Sequence, residues 1–339
     1  MGYINNAPSR LGQVNAANDQ NALFLKQFAG EVLSVFETVN VMMPLHTVRT
    51  ITSGKSASFP AMSTASAGYH TPGESVIETG DGASPTEGSK YLSSVKHNEI
   101  IVTINDLLIS STFVANIDEA KNHYDIRSEY TTQMARALAY EADKNLIHLG
   151  IQGARVTGGT ADRFGGGDYL GSSIDISSGT PTGAEILGGI ADAAEYMDTK
   201  DVPSHDRYCV MGPGSYYKLL ESNYDAINRD YGNDGNGSIA TGHIVSAYGM
   251  RILKSNHIPT ADYVAPAGDL SSLANTDLTG AGVAPQALCF QRSGLATVKL
   301  MDLAVESEYM VERQGTLMLC KYAMGHEVLR NECLVELKA

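Results

Sequence analysis

The chain has 339 residues, 24 Lys and Arg against 38 Asp and Glu, and a net charge of −14. That length passes the ~250–300 residues at which one hydrophobic core stops growing, so two structural units are expected. Apolar residues reach 43% while charged residues reach only 18%, which excludes whole-chain disorder and suggests a surface partly hidden in an assembly.

In chain order, residues 1–21 are polar and Asn/Ala-rich, the composition of an arm. Leu23–Glu37 has helical spacing, with Phe24, Phe28, Val32, Val35 and Phe36 on one face and Pro44 barring its continuation. Val48–Thr52 and Lys55–Phe59 predict short strands around Ser53-Gly54. Between Ala61 and Val95, Ser, Thr and Gly make up 16 of 35 residues, with turn formers at Pro72-Gly73 and Gly80-Asp81-Gly82. A stretch with so little to bury is unusual inside a compact domain. Strand signals at both of its bases favour an extended arm that finds its burial on another chain.

Ile100–Ile104 reads as a buried strand, followed by the apolar segment Leu107–Val114. The longest helical pattern runs from Asp118 to Leu149, with Ile126, Tyr130, Met134, Leu138, Ala142 and Leu146 stepping by four. Residues 155–182 form a second low-core segment, 15 of 28 being Gly, Ser or Thr. Further on, Ala184–Met197 and Pro213–Glu221 predict helices. Arg207–Met211, Met250–Lys254, Ala287–Phe290 and Leu295–Leu300 predict strands, with a loop at Tyr224–Gly237. Thr316–Ala323 is apolar on both faces, as in a strand covered on both sides. Strands and helices mix without steady βαβ alternation, so the fold class is α+β.

Chemical motifs are missing. Gly54-Lys55-Ser56 lacks the first Gly of a P-loop, where Arg49 stands. Phe164-Gly-Gly-Gly-Asp168 misses the dinucleotide fingerprint, because Leu170 takes the last Gly position. Asp225, Asp230 and Asp234 lack the Glu that closes a calcium loop. The nine His form no H-E-x-x-H, and lone ones such as His123 and His326 read as surface or hydrogen-bonded structural residues. Cys209, Cys289, Cys320 and Cys333 form no C-x-x-C pair and read as buried reduced thiols. There are 10 basic and 15 acidic residues up to Gly150, then 14 and 23, so neither half has the basic excess of a nucleic-acid module. The first residues lack a charged and apolar signal, and no apolar run approaches ~18 residues, so neither a signal peptide nor a membrane partner is expected. No catalytic residue, cofactor or metal is assigned.

Several stretches resemble the major capsid proteins of short-tailed phages of the autographivirus type. They are Ala22-Leu-Phe-Leu-Lys26, Ser53-Gly-Lys-Ser-Ala57 with Phe59-Pro60, Pro72-Gly-Glu74, Asn122-His-Tyr-Asp-Ile-Arg-Ser-Glu-Tyr-Thr131, Thr297-Val-Lys-Leu300 with Asp302-Leu-Ala304, and Lys321-Tyr-Ala-Met-Gly-His326. They are collinear from about residue 22 to 330, while residues 77–94 and 155–182 have no clear counterpart. The resemblance implies the Hong Kong 97 phage capsid fold. Residues 1–47 would be the N-terminal arm and 48–99 the extended loop, lying across a neighbouring subunit. Residues 100–182 with 303–339 would form the peripheral domain around a spine helix at 118–149, and 183–302 the axial domain. Gly54, Lys55, Phe59, Tyr69, Pro72, Gly73 and Glu74 would contact other subunits. The implied function is a non-enzymatic virion head protein, made in the host cytoplasm. It would self-assemble as hexamers and pentamers into an icosahedral shell around double-stranded DNA, with a scaffolding protein and a portal as further partners. An encapsulin-type compartment shares that fold and is the nearest alternative; a cytosolic enzyme without recognisable motifs is the distant one.

Overall fold

The structure is a computed structural model that describes residues 39–65, 67–70, 72–73, 95–104, 107–117, 126–156, 169–177, 179–222, 237–238, 243–244, 246–259 and 284–339. The expected helix at Leu23–Glu37, residue Glu74, the 77–94 tip, the 118–125 start of the long helix and most of the Tyr224–Gly237 loop lie outside these residues.

The chain enters through a single 3-10 turn, Met43–Leu45, into β1 (Thr47–Thr50) and β2 (Ser56–Met62). β3 (His97–Thr103) and β4 (Leu108–Ala115) follow, then α1 (Ile126–Arg155) and β5 (Ser172–Asp175). α2 (Gly183–Thr199), β6 (Arg207–Met211) and α3 (Pro213–Ser222) come next. Three two-residue strands, β7 (Gly237–Ser238), β8 (His243–Ile244) and β9 (Ser246–Ala247), precede β10 (Met250–Lys254). The chain closes with β11 (Pro285–Gln291), β12 (Leu295–Met310), β13 (Gly315–Val328) and β14 (Leu334–Lys338).

Two sheets share one beam. The six-stranded sheet has the order β5-β14-β11-β6-β10-β9 and mixes parallel with antiparallel pairs, consistent with an α+β fold. Its central strands β14, β11 and β6 are buried on both faces, with alternate residues on each. Ala287 and Cys289 of β11 face α2 and α3, whereas Leu288 and Phe290 face α1. Helix α2 starts at a capping box, Thr182 with Glu185, and buries Ile186, Ile190, Ala193 and Met197 at helical spacing. The four-stranded sheet has the order β1-β12-β13-β4.

At ~1.5 Å per residue the 30 residues of α1 span roughly 45 Å, enough to lie across both sheets. Met134, Ala135, Leu138, Ala139 and Ala142 pack on the four-stranded sheet; Leu146, Ile147, Leu149, Ile151 and Ala154 pack on the six-stranded one. The expected stripe therefore holds from Met134 onward, while Tyr130 is exposed. The helix also passes its expected end at Leu149 and runs to Arg155, because burial of Ile151 and Ala154 outweighs the ~1 kcal/mol penalty of each intervening Gly.

The two-residue strands β7, β8 and β9 were not expected from sequence, β4 was read only as an apolar segment, and neither β5 nor β14 was expected. β5 and β14 join the six-stranded sheet from outside residues 183–302, and the residue 302 boundary falls inside β12. No strand belongs to both sheets, and α1 packs on each of them. At the centre of β14, Glu336 is fully buried on the α1 side and held by Arg155 through two bonds, 2.7 Å from Nε and 2.6 Å from Nη2. Ser173 donates a third bond at 2.9 Å. Removing Arg155 strands a buried carboxylate, so Arg155→Ala is expected to cost about 3–5 kcal/mol in urea unfolding. Adding Glu336→Leu to it should restore most of that loss, because an apolar pair at this site leaves no charge buried.

All four Cys are buried and unbridged. Burial pushes the thiols of Cys320 and Cys333 up to about 11.

Candidate assembly interface

β2 and β3 form a separate antiparallel hairpin, paired from Ser56↔Thr103 to Met62↔His97. Beyond the last pair, Ser63 N donates to Lys96 O at 2.9 Å and Lys96 N donates to Ser63 Oγ at 2.8 Å. The hairpin has one inward face at its base. Ala57, Val102 and Ile104, with Phe59, pack against Val298 and Ala323 of the four-stranded sheet. Gly325 on β13 permits that approach, since a Cβ there would overlap the carbonyl of Thr103. Ile101 points the other way and is 52% exposed, so β3 is buried on one side only and not throughout as its apolar run suggests.

The candidate contact residues separate along this hairpin. Gly54 (φ +106°) turns the chain into β2, and Gly73 (φ +98°) turns beyond Pro72; both values favour glycine. Lys55 is exposed, and its carbonyl accepts the bond from Ile104 N at 2.8 Å. Phe59 is half-buried against its own subunit, with the Arg49 guanidinium 5.6 Å above its ring. Pro72 and Gly73 are exposed, and Tyr69 is 99% exposed. Gly54, Lys55 and Phe59 thus share the hairpin base, while Tyr69, Pro72 and Gly73 lie further out along the chain.

The same sheet offers a second surface. On β13 the residues Met318, Cys320 and Tyr322 face α1, so Leu317, Leu319 and Lys321 face away. Across from them on β4 stand Phe113, Ser111 and Ile109. The hairpin base covers one end of this outer face, at Ala323, Gly325, Val298 and Leu300. Ile109 is 51% exposed and Phe113 40%, Leu317 and Leu319 are half-buried, and the Lys321–Glu306 pair at 2.6 Å rims them. The two-sided apolar pattern of Thr316–Ala323 therefore predicts a cover that this part of the subunit does not itself supply. β4 is also an edge strand among the described residues, and an apolar edge invites pairing.

A third feature ties residues 39–46 to the body. The buried carboxylate of Asp143, near the middle of α1, accepts from Val41 N at 2.7 Å and Met42 N at 3.1 Å. It also meets His257 Nδ1 at 3.0 Å, from the segment after β10. His46 contacts Met42 O through Nδ1 at 2.8 Å and Thr297 Oγ1 through Nε2, and Thr297 Oγ1 lies 2.8 Å from His326 Nδ1. Burial lowers the pKa of His46 to about 4 and that of His326 to about 3. His326 is thus a hydrogen-bonded structural histidine, as expected. The partnership is invisible in sequence, because residues 46, 143, 297 and 326 have no common spacing.

Among the described residues no group of three or more His, Cys, Asp or Glu is placed to hold a metal ion, and no helix is long and apolar enough to cross a membrane. What the geometry presents is surface for contact. The sequence model of the Gp10A-like family, described as major capsid protein, matches residues 58–338. The chain is 31% identical to the major capsid protein of Escherichia phage T7, with 94% of this chain and 92% of that protein covered. The capsid of the cyanophage P-SCSP1u superposes with a TM-score of 0.71 at 37% identity, covering 98% of each chain. The mature capsid of bacteriophage PhiM1 shares the fold at a TM-score of 0.65 and 18% identity, covering 88% of this chain and 87% of that one. A hairpin seated on the four-stranded sheet, an apolar sheet face exposed at Ile109 and Phe113, and a spine helix packed on both sheets thus lie within a family match that spans residues 58–338: this chain belongs to the Gp10A-like major capsid proteins, which form the shell of the phage virion with the Hong Kong 97 capsid fold.

Proposed function

We propose that the chain beyond the β2–β3 hairpin, including Tyr69, Pro72, Gly73 and Glu74, lies on a neighbouring copy of this subunit, and that the outer face of the four-stranded sheet receives a neighbour in turn. The observation that carries this reading is the outer face itself, with Ile109 and Phe113 exposed beside Leu317 and Leu319. Covering a half-exposed Ile or Phe contributes about 1 kcal/mol per residue. That gain is small for one subunit, but a closed shell repeats it at every copy. Such contacts suit a lattice of hexamers and pentamers in which many weak interfaces act together.

In this reading the four-stranded sheet and the first half of α1 belong to the peripheral domain. The six-stranded sheet with α2 and α3 belongs to the axial domain. The shell encloses double-stranded DNA and is built with a scaffolding protein and a portal. The net charge of −14 suits a container along which DNA slides without sticking. The role is structural, not catalytic, on the strength of the family. Identity of 31% to a phage shell protein favours a phage head over an encapsulin-type cargo compartment.

The double variant Ile109→Asp, Phe113→Asp tests the outer face. Both side chains are half exposed, so the double variant should cost the isolated subunit only about 2–3 kcal/mol and leave it folded. Shell yield, measured by sedimentation and electron microscopy after co-expression with the phage's scaffolding protein, should fall to background. Shells at the unaltered yield would show that this face is not an interface.

A further inference from the structure

The buried histidine chain has a fixed direction. His46 Nδ1 faces the carbonyl of Met42, which only accepts, so Nδ1 carries the proton and Nε2 is bare. Thr297 therefore donates its hydroxyl proton to His46 Nε2 and accepts from His326 Nδ1–H. The last nitrogen, His326 Nε2, is left as a buried acceptor with no partner. One arrangement of protons satisfies the chain, and both rings are neutral in it. A proton entering at His46 Nε2 takes the site of the Thr297 bond. The hydroxyl must then turn toward His326, whose other nitrogen would carry a proton with nothing to receive it.

We propose that the His46–Thr297–His326 chain is an acid-sensitive catch. It holds residues 39–46 on the body at neutral pH and releases them when a proton enters the chain. Residues 39–46 are tied to the spine helix through Asp143, so the catch sets whether this entry segment is anchored there. The groups around His46 do not offset its burial. Asp143 on α1 favours its cation, whereas Lys299 on β12, Arg292 in the turn before it, and His326 on β13 oppose it. His257 Nδ1 lies 3.0 Å from the same Asp143 carboxylate that accepts from Val41 N and Met42 N.

The sign follows from linkage. Both histidines have folded pKa values below the ordinary 6.5, so the released chain binds protons that the closed form refuses as pH falls below 6.5. For each histidine the closed form loses up to tenfold in population per pH unit, until the folded value is reached near 4 or 3. Hydrogen exchange on the full-length subunit between pH 6.5 and 5, corrected for intrinsic rates, reads this directly. Exchange at the Val41 and Met42 amides should rise about fifteenfold per participating histidine across that window, because a released histidine is already half protonated at pH 6.5. The amides of Leu288 and Phe290 in β11 should stay protected. His326→Leu and His46→Asn should each flatten the dependence, and Thr297→Val should loosen the segment already at pH 7. A flat response at Val41 and Met42 in the unaltered protein would overturn the proposal, as would loss of protection in step with β11. Neither of those outcomes requires a variant to fold.

Discussion

A subunit lacking residues 64–95, with Ser63 joined to Lys96 through a short Asn-Gly turn, is expected to fold and to form no shells. The hairpin register supports the join, since Ser63 and Lys96 already exchange backbone and side-chain bonds beyond the last strand pair. The excised residues leave intact the packing of Ala57, Val102 and Ile104 on the sheet. Shortening the connection from 32 residues to two lowers its closure cost by about 2.5 kcal/mol, so urea unfolding should show equal or slightly higher stability. Assembly depends on what is lost, because the deletion removes Tyr69, Pro72, Gly73 and Glu74 together. Sedimentation should find small oligomers or monomers where the complete chain gives shells. If the shortened chain assembled normally, the extended-loop reading would be wrong.

Replacing Gly325 by Leu is expected to lift the same hairpin from the other end. A side chain there collides with backbone, the carbonyl of Thr103, and no rotamer can avoid it because the Cβ itself overlaps. Either β13 bends or the hairpin base moves off Ala323 and Val298. The second is less disruptive, because β13 is paired along its length to β12 and β4. The expected loss is about 3 kcal/mol, near the upper end for overpacking. Hydrogen exchange should show β2 and β3 deprotected while β11 stays closed. Shell formation should fail as it does in the deletion, although the extended residues are all present. Equal protection of the hairpin in both proteins would show that Gly325 is not its seat.

The sequence was most legible where local signals and tertiary packing agree. Helix α2 has its capping box, its apolar spacing and nothing opposing them, and β6 and β10 lie close to their expected bounds. The end of α1 was obscured by Gly150, although Ile151 and Ala154 carry the buried stripe onward. β14 was hidden by the charged Glu336 at its centre. Its partner Arg155 lies 181 positions away, and no local rule connects the two. The candidate contact residues were partly legible. Gly54 and Gly73 have the turn conformations that their residue type suggests, whereas Phe59 spends half its surface on its own subunit. The apolar outer face was visible only indirectly, as a strand pattern on β13 that asks for burial on both sides. The histidine chain was not legible at all, since its three members come from the entry segment, β12 and β13.

The rest depends on the chain beyond the β2–β3 hairpin lying, in the assembled state, on the neighbouring subunit, while the hairpin base stays seated on its own sheet. A cryo-electron microscopy reconstruction of shells formed by the purified, co-expressed protein tests it most directly. The expected map shows closed shells of hexamers and pentamers, with Tyr69 to Glu74 lying on an adjacent copy and the Ile109–Phe113 face covered by a neighbour. A compact monomer under all assembly conditions would contradict it, as would shells in which Tyr69 to Glu74 fold back on their own subunit and leave that face open.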